Sequence, residues 1–117
     1  MPFGRPCIEL PAGLVGDEVA GEGEAASAAR ELHEETGFEA AHWEDLGEFA
    51  TSPGMSSESF RLFRATGLTR TGKGGGTLEE AITVHVVALA NLPDWLAVQR
   101  QRGCVIDCRL VVGLGLV

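Results

Sequence analysis

The sequence predicts a single α/β domain with helices on both faces of a β-sheet, because strand-like and helix-like segments alternate along the chain. The segment from Glu24 to Thr36 is rich in alanine and other helix-favouring residues, and Gly37 is a suitable stop. The segment 81–89, AITVHVVAL, is rich in β-branched residues and is the clearest strand. A chain of 117 residues buries one hydrophobic core, which predicts one domain over 1–117.

The other elements follow from apolar runs and turn residues. In chain order they are a short strand from Cys7 ended by Pro11 and Gly13, a strand or irregular edge at 43–50, a loop at 51–59, a strand at 60–68, a turn at 69–77, a helix from Pro93 to about Arg102 ended by Gly103, and a last apolar helix capped by Asp107. In the first helix, the stripe expected to face the core is Ala25, Ala28, Ala29 and Leu32.

The charge and composition exclude several classes of partner. A net charge of −8 argues against binding nucleic acid through its phosphates, which requires clustered Lys and Arg. The most apolar stretch, LVVGLGLV, is far shorter than the roughly 20 residues that span a bilayer, so no membrane role is expected. The three cysteines are an odd number and no signal segment precedes them, which predicts free thiols and a cytoplasmic protein.

One face of the first helix concentrates acidic side chains. Glu31, Glu34 and Glu35 fall within about 100° of arc, and Glu24 projects onto the same side two turns earlier. Like charges at these spacings repel, and carboxylates near a helix C-terminus also oppose the helix dipole. The pattern fits either a solvated acidic face or a divalent-cation site. The absence of Lys from this helix favours the cation site, because hard Mg²⁺ prefers carboxylate oxygens.

The segment GLTRTGKG, residues 67–74, nearly matches the phosphate-binding pattern G-x4-G-K-[ST]. Position 74 is Gly, where that motif needs a hydroxyl group for magnesium, and a predicted strand follows where the motif needs a helix. We interpret the segment as a hairpin connection.

The acidic helix and the residues before it resemble the Nudix box, G-x5-E-x7-R-E-U-x-E-E-x-G-U, where U is apolar. The stretch GEGEAASAARELHEETGF matches eight specified positions in register, from Glu22 to Phe38. Four further segments resemble the ADP-ribose pyrophosphatase branch of that family. They are IELPAGLV, SPGMSSE, in which Pro53 lies fifteen positions after Phe38, LEEAITVHVVAL and GCVID. The likeness runs from Ile8 to about Leu114 and implies an α-β-α sandwich with a mixed β-sheet.

Two departures from the family pattern affect the expectations. If Gly13 of the PAG turn is the first glycine of the box, eight residues rather than five separate it from Glu22, so this loop carries three extra residues. Gly16 has the five-residue spacing, but it lies outside the PAG turn. Only seven residues precede Ile8, where such domains usually have further strands. We therefore expect that N-terminal strands are missing or that another subunit completes the sheet, and that the chain is a homodimer.

The resemblance implies a metal site on the acidic helix. Glu31 and Glu35 are then the main ligands, Glu34 assists, and the backbone carbonyl of Ala12 completes the site. Arg30 can pair with Glu34 at the i, i+4 spacing and orient the cluster. The expected cofactor is Mg²⁺, with Mn²⁺ as an alternative.

The resemblance also implies a general base and a substrate-binding loop. In this branch a glutamate before the VHVV strand takes the proton of the attacking water; Glu80 is in register with it, and Glu79 is the alternative. The proline loop supplies the candidate substrate contacts Pro53, Gly54 and Glu58, although Glu58 equally fits an exposed loop acid.

The expected function is Mg²⁺-dependent hydrolysis of the pyrophosphate bond of a nucleoside diphosphate derivative. The resemblance favours ADP-ribose, which would give AMP and ribose 5-phosphate. The alternative is a Nudix-fold module that binds a nucleotide without turnover. The intact acidic cluster favours the enzyme, and the missing strands favour the module.

Overall fold

The computed structural model describes residues 4–11, 23–76 and 82–116, and the chain divides into two compact units. One unit comprises 1–10 and 85–117, and the other comprises 11–84. The elements are β1 (Cys7–Ile8), α1 (Glu24–Thr36), β2 (Phe38–Ala50), β3 (Ser59–Arg70), a 3₁₀ turn (Leu89–Asn91), α2 (Leu92–Gln101), β4 (Val105–Ile106) and α3 (Cys108–Leu116). Parallel and antiparallel strand pairs occur together with helices, which confirms the predicted α/β class.

The unit 11–84 is built on a long antiparallel hairpin of β2 and β3. Its register runs from Phe38 opposite Arg70 to Ala50 opposite Ser59. The register shifts between Asp45 and Gly47, where the N–H of Gly47 donates to Asp45 Oδ1 over 2.8 Å. The positive φ of 111° at Gly47 suits glycine, so the sequence permits the bulge at this point.

Two aromatic pairs join the strands of this hairpin. The rings of Trp43 and Phe63 meet edge to face with centroids 6.2 Å apart, and Phe49 stacks on Phe60 at 5.6 Å. Cross-strand aromatic pairs of this kind add stabilisation beyond the area that they bury. The strand predicted at 43–50 is confirmed, although β2 begins earlier, at Phe38.

Helix α1 spans the predicted residues and contacts both strands of the hairpin. Its predicted core-facing stripe is partly wrong, because Ala25 is exposed whereas Ser27 is only 2% exposed. A small side chain allows close approach of the helix, and no buried side-chain polar atom lacks a hydrogen-bond partner among the described residues, so Ser27 is satisfied. Alanine carries too little apolar surface for its spacing alone to fix which face is buried.

In the other unit, β1 and β4 form a short parallel ladder. Cys7 lies opposite Val105 and Ile8 opposite Ile106. Leu96 of α2 and Leu110 of α3 are its buried hydrophobic residues in the described part of the chain. The first strand and both helices lie where the sequence predicts them.

The prediction of a strand at 81–89 is wrong for the residues that the structure describes. Residues 82–88 pair with no described strand, and the chain enters the 3₁₀ turn at Leu89. The β-branched sequence favours an extended backbone, but a strand also requires a neighbouring edge to accept its hydrogen bonds. The ring of His85 instead packs on that of Trp95, with centroids 5.1 Å apart.

Among the described residues, no helix is both long enough and apolar enough to cross a membrane.

Candidate catalytic site on the acidic helix

The second half of α1 carries an arginine between two carboxylates. Arg30 Nη1 lies 2.9 Å from Glu31 Oε1 and 3.3 Å from Glu34 Oε2. The side chain of Glu31 is 14% exposed, whereas that of Glu34 is 42% exposed. The i, i+4 pair expected from the sequence is present, and the same guanidinium also holds the more buried Glu31.

The donor chemistry of this face fits a hard divalent cation. Glu31, Glu34 and Glu35 offer carboxylate oxygens from successive turns, and these are the ligands that Mg²⁺ prefers. In the described ranges, however, no three His, Cys, Asp or Glu side chains converge to hold a metal ion. Ala12, the expected backbone ligand, lies outside those ranges, so the four-residue ligand set stays a prediction.

A glycine-rich segment closes the C-terminal end of α1. We call residues 71–76 the glycine strap. The N–H of Gly75 donates to the carbonyl of Glu35 over 2.7 Å, and the N–H of Gly76 donates to that of Glu34 over 2.9 Å. The N–H groups of Thr71 and Gly72 both donate to the carbonyl of Gly37, at 2.8 and 3.0 Å. The strap therefore contacts the helix at the two residues that carry candidate ligands.

These bonds also exclude the phosphate-binding interpretation of residues 67–74. A phosphate cradle needs backbone N–H groups that point at the ligand. Within residues 67–74, the N–H groups of Thr71 and Gly72 donate to the carbonyl of Gly37 at the C-terminal end of α1, where the dipole disfavours an anion. The predicted hairpin connection is instead a cap on the neighbouring helix.

The proline loop lies at the far end of the hairpin from the end of α1. The carbonyl of Ser52 accepts bonds from the N–H groups of Met55 and Ser56, both at 2.9 Å, so Pro53 and Gly54 form an exposed turn. Glu58 is exposed at the base of this loop. The thirteen residues of β2 extend roughly 40 Å at about 3.3 Å per residue. Along the hairpin, the proline loop therefore lies at the opposite end from the last turn of α1, which carries Glu34 and Glu35.

The candidate bases Glu79 and Glu80 lie outside the described residues, as does Glu22 of the box. Their roles stay predictions.

Sequence reasoning missed Arg61, which ties α1 to the hairpin. Its Nε lies 2.9 Å from Glu24 Oε2, and its Nη1 lies 3.0 and 2.9 Å from the two carboxylate oxygens of Asp45. The N–H of Gly47 and then Arg61 hold the pKa of Asp45 below its ordinary value. Glu24 therefore anchors the start of the acidic helix. Only the register of the hairpin brings these three charges together, so no local sequence signal could have identified them.

The other unit contains a cavity of about 380 Å³ lined by Cys7, Glu9 and 105–109. Asp107 bonds Arg109 closely, with Arg109 Nη2 2.6 Å from Asp107 Oδ2. Burial, followed by the charges of Glu9 and Asp107, raises the pKa of the Cys7 thiol. No predicted site residue lines this cavity. The three cysteines are free, as expected.

Comparison with known proteins relates the chain to characterised relatives, although no family model matches it. It is 48% identical to an ADP-ribose pyrophosphatase of Mycobacterium tuberculosis over 79 residues, which are 68% of this chain and 37% of the relative. It is 38% identical to an ADP-ribose pyrophosphatase of Bacillus subtilis over 68 residues, 58% of this chain and 35% of the relative. A methanol dehydrogenase activator of Bacillus methanolicus is 39% identical over 88 residues, 75% of this chain and 45% of the relative.

The acidic motif on α1, the α/β fold and these identities together define the class of protein. They relate the chain to the Nudix family. Within that family its relatives include ADP-ribose pyrophosphatases. The matched region spans less than half the length of each of these relatives.

Proposed function

We propose that this chain carries the metal-binding part of a Nudix pyrophosphohydrolase that cleaves a nucleoside diphosphate derivative, with ADP-ribose as the preferred substrate. The observation that supports this most strongly is the acidic face of α1, ordered around Arg30, in a chain that is 48% identical to an ADP-ribose pyrophosphatase over its matched region. AMP and ribose 5-phosphate would be the products.

The residues of the chain have separable roles in this proposal. Glu31 and Glu35 would hold Mg²⁺ or Mn²⁺ together with Glu34 and the carbonyl of Ala12. When bound, the cation would neutralise the pyrophosphate and lower the pKa of a water. Glu80, or Glu79, would accept the proton of the attacking water. Arg30 orients Glu31 and Glu34 through the contacts described above.

The test separates a ligand from a base by magnesium titration of ADP-ribose hydrolysis. Glu35→Gln removes a coordinating charge, so it should raise the magnesium concentration at half-maximal rate and lower the maximal rate. Glu80→Gln should leave that magnesium midpoint in place and lower turnover by roughly 10²- to 10⁴-fold. The exposed Glu44 of β2 provides a matched control, Glu44→Gln, which should behave as wild type.

Each alternative outcome has a defined meaning. Full activity in Glu80→Gln together with loss in Glu79→Gln would move the base by one residue. If neither change matters, Glu58→Gln is the next variant. Hydrolysis that proceeds unchanged in Glu35→Gln at every magnesium concentration would overturn the assignment of the metal site.

A second function is a nucleotide-binding or regulatory module without turnover. The relative named methanol dehydrogenase activator supports this alternative, because its name describes activation of another protein rather than hydrolysis. Calorimetric binding of ADP-ribose with no release of AMP, in a chain that carries all the carboxylates, would favour it.

We also propose that the functional form is a homodimer. The position of the proline loop at the opposite end of the hairpin from the last turn of α1 supports this proposal, since a second copy could bring its own Pro53, Gly54 and Glu58 to that turn. Among the described residues, neither outer edge of the hairpin pairs with a further strand, and such edges recruit neighbouring strands. Light scattering should give twice the mass of one chain; a uniform monomer that hydrolyses ADP-ribose at full rate would overturn the proposal.

A further inference from the structure

We propose that the glycine strap, residues 71–76, is a positioning element for the candidate metal ligands Glu34 and Glu35. It acts by fixing the backbone of these two residues, so that their carboxylates start from a set position when a divalent cation binds. The cation part of this inference rests on the proposed function. The backbone part rests on the structure alone.

The strap supplies hydrogen-bond donors to the last turn of α1. The last four carbonyls of a helix have no partner within the helix and need one elsewhere. In α1, Leu32 receives the hydroxyl of Thr36 over 2.6 Å, and His33 receives the N–H of Gly37 over 2.9 Å. The carbonyls of Glu34 and Glu35 receive the strap amides Gly76 and Gly75. Without the strap, the carbonyls of Glu34 and Glu35 would lose these two donors.

The same amides offset an electrostatic cost. Carboxylates at a helix C-terminus face the negative end of the helix dipole, which arises from its unpaired carbonyl groups. The N–H groups that donate to the carbonyls of Glu34 and Glu35 reduce this partial negative charge close to the two carboxylate side chains. The strap therefore allows acidic side chains at a position where helix-end electrostatics disfavours them.

The approach of the strap to the helix is close enough to require glycine. Gly74, Gly75 and Gly76 have φ values of 71°, 90° and 71°, which disfavour other residues. A Cβ added at Gly74 would lie 2.5 Å from the carbonyl carbon of Thr36 and 2.9 Å from the nitrogen of Gly37. These neighbours are backbone atoms, so the contact could be relieved only by moving the strap away from the helix.

Arg70, the last residue of β3, holds the outer side of the strap. Its Nε donates to the carbonyl of Gly72 and its Nη2 donates to that of Lys73, both over 3.4 Å. The strap is thus fixed to the helix by its amides and to the strand by its carbonyls. A displacement on either side would be transmitted to the turn that carries Glu34 and Glu35.

The test compares Gly74→Ala with Gly103→Ala in the full chain. Gly103 has a φ of 91°, but a Cβ there would meet nothing within 4 Å. Both variants therefore carry similar backbone strain, and only Gly74→Ala pushes on α1. Amide hydrogen exchange should show protected Gly75 and Gly76 in wild type and in Gly103→Ala, and loss of that protection in Gly74→Ala.

The second readout is the magnesium dependence of the thermal unfolding midpoint, which needs no turnover. The magnesium concentration for half of the maximal shift should rise roughly 10- to 100-fold in Gly74→Ala, as for other residues that orient metal ligands, and should stay at the wild-type value in Gly103→Ala. If Gly74→Ala does not fold, Arg70→Gln removes only the outer anchors and should raise this concentration by a smaller factor.

The outcomes distinguish the inference from the proposed function. Gly75 and Gly76 amides that exchange as fast as the exposed Gly54 amide in wild type would overturn the strap. A wild-type magnesium midpoint in Gly74→Ala would overturn its positioning role while leaving the proposed function intact. Protected amides in a wild-type chain that neither binds magnesium nor hydrolyses ADP-ribose would overturn the proposed function and the cation part together.

Discussion

The C-terminal ends of α1 and α2 satisfy the same requirement in different ways. Helix α2 closes on itself: the N–H groups of Gly103 and Cys104 donate to the carbonyls of Arg100 and Gln99, both at 3.0 Å. The basic Arg100 lies in its last turn, where the dipole favours a cation. Helix α1 instead ends in acidic residues and takes N–H donors from a distant segment of the chain.

This difference shows which helix end departs from local sequence rules. A helix end that satisfies its own carbonyls and carries complementary charge needs only local sequence to form. A helix end that carries acidic side chains against its own dipole, and that takes donors from a distant segment, is less stable than one with complementary charge. Such departures from local rules are expected at functional sites, and they occur here on the turn that carries the candidate ligands.

The largest stability difference should separate Gly37→Ala from Gly103→Ala. Both glycines follow a helix in the left-handed conformation, with φ values of 79° and 91°. A Cβ at Gly103 meets nothing, so Gly103→Ala should cost about 1–2 kcal/mol from the backbone alone. A Cβ at Gly37 would overlap the carbonyl oxygen of Gly72, which should add roughly 1–3 kcal/mol. Urea unfolding measures both values, and equal losses would show that the strap yields without cost.

Local sequence rules predicted the C-terminal end of α2, and they predicted where α1 ends but not the strap that contacts it. Helix α2 begins near Pro93 and ends before Gly103, and Asp107 caps α3, all as expected, since each of these residues acts within a few positions of itself. Gly37 ends α1 as predicted, but nothing local indicates that residues 71–76 return to the same helix. That contact depends on the hairpin register, which places Arg70 opposite Phe38.

In the candidate site, too, contacts within one helix were predicted and contacts between distant segments were not. The spacing of Arg30, Glu31 and Glu34 on one helix predicts their proximity, and the structure has it. The prediction of a strand at 81–89 was wrong for the described residues, because a strand depends on a neighbouring strand that sequence periodicity does not specify. The link from Arg61 to Glu24 also depends on non-local register, so it was not predicted.

The N-terminal ends allow a smaller test of the same contrast. Asp107 accepts the N–H of Arg109 over 2.9 Å and caps α3, whereas Gly23 gives α1 no side-chain cap. Asp107→Ala should cost about 1 kcal/mol. Gly23→Asp should stabilise the chain by a few tenths of a kcal/mol, because φ is −77° and a Cβ there meets nothing. Destabilisation by Gly23→Asp in urea unfolding would contradict this prediction.

The pH dependence of stability should reveal the pair of Asp107 and Arg109. Hydrogen bonds from Arg109 lower the pKa of Asp107 in the folded state. A lowered folded-state pKa contributes stability above the unfolded-state value of about 3.9, and this contribution disappears as the pH falls through the folded-state value. The partly exposed pair should contribute less than about 1 kcal/mol. Arg109→Gln should flatten the stability curve below pH 4, and an unchanged slope would show that the pair is not formed in solution.

The smallest expected effect concerns two thiols that line the same cavity, Cys7 and Cys108. Cys108 is exposed, whereas Cys7 is half-buried and its pKa is raised by burial and by the charges of Glu9 and Asp107. A raised pKa leaves less thiolate at neutral pH, so iodoacetamide should label Cys108 before Cys7. Glu9→Gln removes one of the charges and should speed the labelling of Cys7 without changing that of Cys108. Peptide mass spectrometry over a pH series measures both rates. Equal rates at every pH would contradict the partial burial of Cys7 and the influence of these charges on it.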